Sequence, residues 1–178
     1  MLVCIPPTKS YHIFLILFLF LPFSSESSAA TFLVTNTDDS GDGSLRSAIE
    51  AANSTANFGG TPDRIEFNIP GGGGHTIAPF SFLPAISESV EIDGYTQPGA
   101  TANSNPITMG SNAVIQIELN GAGAPGSSGL VITSGSSTVR GLAITGWTSY
   151  GLYLQGQSGN SIEGNFIGLH PDGETPSG

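Results

Sequence analysis

The sequence predicts an all-β protein, a parallel β-helix of about five coils, capped on its N-terminal side by one α-helix at about residues 44–53. Three observations lead there. The stretch from Gly129 to Gly168 falls into two rows in register: Gly129 over Gly151, Ile132 over Leu154, Val139 over Ile162, Ile144 over Ile167. The offset is 22 residues, then 23 after the inserted Asn160. A fixed period of this size marks stacked repeats. Short β-prone runs between Gly and Ser make each repeat a strand–turn unit rather than a helix pair. Only one run has convincing helical spacing, with Leu45, Ala48, Ile49 and Ala52 on one stripe.

The first thirty residues are expected to leave the chain. Lys9 and His12 precede an apolar run from Ile13 to Phe23, and polar residues follow to Ser28. Ser28 and Ala30 then fit the small-residue positions of a signal-peptidase site, with the cut between Ala30 and Thr31. A run of about 11 residues is too short to span a bilayer. The mature chain is therefore expected to lack a transmembrane span and to be secreted or held at the cell surface. The single cysteine, Cys4, would leave with the signal, so stability must come from packing and backbone ladders. Beyond residue 30, Arg46, Arg64 and Arg140 face thirteen carboxylates, a net charge of −10. No basic patch can form, which excludes nucleic acid as a partner. An anionic polysaccharide would need a bridging cation.

Residues 31–62 read as a strand (31–36), a turn (38–43), the helix and a loop; residues 63–178 read as the coils. Ser44 or Asp42 can cap the helix, whose place is over the open end of the first coil. Residues 64–69, 90–95 and 113–120 alternate as strands do, and residues 76–83 read as extended. Gly71 to Gly74 can only turn, and residues 96–112 read as a surface excursion.

One tetrad recurs: Ile65-Glu66-Phe67-Asn68, Val90-Glu91-Ile92-Asp93 and Ile117-Glu118-Leu119-Asn120, continued in weaker form at Val139 and Ile162. Aligning these predicts an interior stack of Ile65, Val90, Ile117, Val139 and Ile162. The outward column is then Glu66, Glu91, Glu118, Arg140 and Glu163, in which Arg140 forms a ladder ion pair with Glu118 and Glu163. Asn68, Asp93, Asn120 and Asn165 would line up at a turn, where Asn and Asp tolerate left-handed backbone.

The run VTNTDDSGDGSLRSAIEAAN resembles the opening of bacterial secreted right-handed parallel β-helix repeat proteins with a CSLREA-type N-terminus. Gly43-Ser44-Leu45-Arg46-Ser47-Ala48-Ile49 stands where they have Cys-Ser-Leu-Arg-Glu-Ala-Ile, so the Cys and the Glu are absent. LPAISESVEIDGYTQPGA, STVRGLAITGW and IEGNFIGLHPDG resemble the coils that follow in those proteins. The resemblance implies a right-handed β-helix that is exported and continues through further coils; this chain stops at Gly178 after a turn, as a fragment would. It transfers no catalytic residue.

Parallel β-helices also include polysaccharide lyases and glycoside hydrolases. Glycosidases work with two carboxyl groups at a set separation. Asn36-Thr37-Asp38-Asp39 matches such a motif only superficially and is better read as a turn. Arg140 is the one candidate for a lyase base, but an arginine between carboxylates stays protonated. His75 and His170 read as solvated loop residues. Asp38, Ser40 and Asp42 echo a Ca²⁺ loop, but Ile49 stands at the twelfth position and Glu50 comes one place late. No cofactor is predicted, and Ca²⁺ is the only candidate. Trp147, Tyr150 and Tyr153 form a candidate sugar platform.

These observations favour an exported, non-enzymatic β-helix module. Its expected roles are structural, adhesive or glycan-contacting, with a cell-surface glycan or further β-helix coils at the C-terminal edge as partners. The alternative is a fragment or degenerate form of a polysaccharide lyase or glycoside hydrolase.

Overall fold

The computed structural model describes residues 29–57 and 59–177. The stretch read as a signal lies outside these residues up to residue 28. The described elements are β1 (Thr31–Val34), α1 (Leu45–Ser54), β2 (Asp63–Phe67), β3 (His75–Ile77), β4 (Val90–Asp93), β5 (Ile117–Asn120), β6 (Leu130–Ile132), β7 (Thr138–Arg140), β8 (Leu142–Thr145), β9 (Leu152–Leu154), β10 (Ser161–Glu163) and β11 (Phe166–Ile167).

The strands form three parallel sheets. The first has the order β1-β2-β4-β7-β10, the second β3-β5-β8-β11, and the third β6-β9. A single parallel bridge joins Ile86 to Ile132 of the third sheet. β1 and β2, joined through α1, both lie in the first sheet; from β2 onward the chain visits the sheets in one sequence, first to second to third, and then returns to the first beside its previous pass. Strands this short suit such a path, because Gly and Asx residues end each of them within a few positions.

Alternation sets the inside. In the first sheet Phe32, Ile65, Ile92, Val139 and Ile162 occupy matching positions on successive strands. Ile65, Ile92 and Val139 have no exposed surface. Each such side chain contributes about 1.5–3 kcal/mol relative to exposure. Ile117 and Leu119 of the second sheet and Leu130 and Ile132 of the third complete the same core.

This register corrects the stack expected from the tetrads in two ways. Ile117 belongs to the second sheet, between His75 and Leu142. Val90 pairs with Asp63, two residues from the expected Ile65. Both differences have physical causes. The tetrads of β4 and β5 look alike because both end in an Asx-capped 3-10 turn. Asp93 accepts from Tyr95 N at 3.0 Å ahead of Gly94–Thr96, and Asn120 accepts from Ala122 N at 3.0 Å ahead of Gly121–Gly123. The likeness therefore reports local turn chemistry shared by two strands of one circuit. The slip at Val90 is invisible to hydrophobic pattern, because a shift of two residues keeps every side chain on its face.

Helix α1 starts one residue inside the expected span. Ser44 is the cap, its Oγ accepting from Ser47 N at 3.2 Å. Leu45, Ala48, Ile49 and Ala52 are buried, and the helix packs on β1 and β2. Arg46 reaches from its outer side to the carbonyls of Ser81 and Phe82 and to Asp39, tying two loops to the helix.

Side-chain amides hold successive circuits together. Gln97, 1% exposed, accepts from Ile69 N and donates to Ile69 O, both at 2.8 Å. Asn165 accepts from Leu142 N at 3.0 Å and donates to Val139 O at 2.8 Å. Asn160 likewise accepts from Ser137 N and donates to Ser134 O. Each amide matches one donor and one acceptor of the neighbouring turn, which the missing strand ladder would otherwise leave unpaired.

Candidate functional site

The outer face of the first sheet carries six charged side chains. Glu66, Asp93, Arg140 and Glu163 form one column by register, and Arg64 and Glu91 are neighbours in the next. Arg140 Nη2 lies 2.6 Å from Asp93 Oδ2 and 2.9 Å from Glu91 Oε1. Arg64 sits among Glu66, Glu91 and Asp93 at 3.1–3.7 Å. Its Nε is at ion-pair distance from Glu66 but not in hydrogen-bond geometry. The hydrogen bond to Asp93, reinforced by Glu91 and Glu163, raises the pKa of Arg140 despite partial burial. It is a fixed cation and cannot serve as a base.

The expected ion pair of Arg140 with Glu118 is thereby corrected. Glu118 lies on the second sheet, where its carboxylate accepts from Thr76 Oγ1 at 3.0 Å and Thr145 Oγ1 at 2.7 Å. His170 Nδ1 is 2.9 Å from the same group, so His170 is a partner of Glu118 rather than a solvated loop residue. Burial alone would raise the Glu118 pKa, but the hydrogen bonds from Thr145, Thr76 and His170 outweigh it and the pKa is lowered. Glu163 does follow Arg140 in register, on the adjacent strand, but among the described residues the ion pairs of Arg140 are with Glu91 and Asp93, not with Glu163.

A cavity of about 320 Å³ opens over this face, lined by Tyr95, Ala102, Asn103, Arg140, Glu163 and Gly164. The excursion after β4 forms one wall. It is braced by the antiparallel Thr101–Val114 bridge and by Asn103, whose Oδ1 accepts from the backbone N of Asn105 and Asn112. Tyr95 forms part of the lining, with its hydroxyl donating to Gly164 O at 2.6 Å. Sequence patterns missed Tyr95 and Asn103, since only the stacking of distant segments brings them to Arg140.

The three aromatic residues of the expected sugar platform part company. Tyr150 and Tyr153 stack, their ring centroids 5.2 Å apart and their planes 17° from parallel, and both are exposed. Trp147 turns toward the core, lies against Gly121 and Gly129, and donates to Leu119 O at 3.3 Å.

Asn36 and Asp39 act as turn residues. Asn36 donates to Asp42 O, and Asp39 pairs with Arg46 at 2.9 Å and accepts from Phe80 N. Among the described residues no group of three or more His, Cys, Asp or Glu side chains is placed to hold a metal ion, and no helix is long and apolar enough to cross a membrane. The predicted cut between Ala30 and Thr31 falls where β1 begins. Ala30 O there accepts from Arg64 N at 2.8 Å.

No protein-family model, curated protein or solved structure matches the chain.

Proposed function

We propose that the three sheets are the faces of a right-handed parallel β-helix, and that the chain is an exported, non-catalytic module at the cell surface or secreted from it. Its role is structural, adhesive or glycan-contacting. The observation that carries this reading is the constant order in which the chain visits the three parallel sheets. Such an order stacks circuits along one axis and presents long, flat outer faces. The resemblance of residues 31–178 to secreted repeat proteins supports the same reading. Two features suit contact with a surface. The stacked Tyr150 and Tyr153 offer an exposed aromatic face of the kind that sugar rings cover. Strands β9, β10 and β11 each pair on one side only, so their free edges can take further coils.

A polysaccharide-active enzyme, or a degenerate form of one, is the second reading, favoured by the cavity that holds Arg140 and Glu163. One pair of measurements separates the two. The first reading predicts no reducing-sugar or unsaturated product from a polysaccharide panel with Ca²⁺ present. It also predicts retention on at least one immobilised cell-surface polysaccharide that Tyr150→Ala with Tyr153→Ala abolishes. Turnover that Arg140→Ala removes would establish the second.

A further inference from the structure

Among the described residues, Asp63 is a buried acid without a counter-charge. It opens β2 on the inward side with Ile65 and Phe67, opposite Val90 of β4, and is 2% exposed. Its Oδ1 accepts from Ala30 N at 2.7 Å, while its Oδ2 is buried and has no hydrogen-bond partner among the described residues. The ion pairs of Arg46, Arg64 and Arg140 all go elsewhere, to Asp39, Glu66, Glu91 and Asp93. A carboxylate held this way is costly, because one amide hydrogen satisfies one oxygen and neutralises nothing.

A chain that began at Ala30 would change that balance. Its α-ammonium would stand where the amide now stands, with three hydrogens and a positive charge. We propose that the mature chain begins at Ala30, cut from its leader between Ala29 and Ala30, and that the new α-ammonium forms a buried ion pair with Asp63. The inference rests on the export reading and moves the cut by one residue. Ser27 and Ala29 are small residues at the two positions a signal peptidase reads. A cut after Ala30 would instead remove the donor to Asp63 and the bond from Arg64 N to Ala30 O. Asn57 steadies the same corner, accepting from Asp63 N at 2.9 Å and donating to Ser89 O at 2.8 Å. Processing and folding are thus joined: the cut creates the cation that the fold lacks at this point.

The chain offers a direct probe. Lys9 is the only lysine of residues 1–178 and would leave with the leader, so in the chain from Ala30 to Gly178 the α-amine is the one primary amine. The full-length chain is expressed with its own leader in an exporting host, and the intact mass of the exported protein gives its first residue. Ala30 is expected. An exported protein beginning at Thr31 or any other residue overturns the proposal and leaves export standing; uncut chain retained in the cell overturns the export reading itself. The exported protein is then treated with an amine-acylating reagent near neutral pH. Native protein should label at least about ten-fold more slowly than the same protein in denaturant, as a pKa raised by a unit or more requires. Asp63→Asn should remove that protection. Equal rates in native and denatured protein would overturn the ion pair, whether or not the Asp63→Asn variant folds.

Discussion

Arg140 Nη2 and Asp93 Oδ2 lie 2.6 Å apart although 47 residues separate them in the chain. The pair spans neighbouring strands of the first sheet, and Asp93 is almost fully buried beneath it. Arg140→Met should therefore cost about 1–3 kcal/mol, because it leaves a buried carboxylate with Arg64, 3.7 Å away, as its remaining cation, with part of the loss softened by the partial exposure of Arg140. Chemical denaturation measures this. Adding Asp93→Asn should recover most of the loss; a double variant no more stable than Arg140→Met would show that the pair is not the cause.

Gln97 bridges two turns from an almost fully buried site. Gln97→Leu keeps the volume and strands both Ile69 N and Ile69 O, where burial is nearly complete. A loss of about 2–4 kcal/mol is expected, at the upper end of single hydrogen-bond deletions because two backbone groups lose their partner. Hydrogen exchange at Ile69 should quicken in step. Unchanged exchange there would mean that the bracket is not what protects the turn.

Glu118 contributes to the acid side of the stability profile, as Asp39 and Asp172 also do. Its folded pKa lies below the ordinary 4.5, since hydrogen bonds from Thr145, Thr76 and His170 outweigh the opposing effect of burial. A lowered folded value means that this contribution is present above the unfolded pKa and is lost as pH falls through the folded one. Thr76→Val with Thr145→Val removes two of the donors. Acid unfolding followed by circular dichroism should then begin at higher pH, and stability at neutral pH should fall by about 1–3 kcal/mol. An acid midpoint that stays put would remove Glu118 from the account.

Trp147 and Gly121 test the corner that the sequence assigned to a sugar platform. A Cβ at Gly121 would overlap the indole ring, so Gly121→Ala should displace Trp147 and cost about 1–3 kcal/mol. As the only tryptophan, Trp147 reports this by a red-shifted emission as it meets water. Emission unchanged by the substitution would contradict the packing.

The β-rich class, helix α1 and the places of β1, β2 and β4 were legible because each depends on local pattern, whereas residues 76–83 and 113–120 were read as longer than the strands β3 and β5 that they contain. Leu45, Ala48, Ile49 and Ala52 define their own stripe, and Ile65 and Val139 define their own alternation. What was not legible was which strand neighbours which. Ile117 resembles Val90 in its surroundings, since strand-plus-Asx-turn is a local motif, and nothing in periodicity says that β4 and β5 occupy different sheets of one circuit. The site suffered accordingly. Glu118 and Arg140 were brought together by an alignment, whereas Asp93 was seen only as a turn residue, although it both caps the turn and holds Arg140. Tyr95 and Asn103 carried no signal at all, because their relation to Glu163 exists only after stacking.

The register of the first sheet is what places Asp93, Arg140 and Glu163 beside one another. Cross-strand nuclear Overhauser effects in the isotope-labelled protein test it most directly. The account predicts contacts between the backbones of Val139 and Ile92 and between Val139 and Ile162. Backbone contacts between Val139 and Ile117, with none to Ile92, would contradict it.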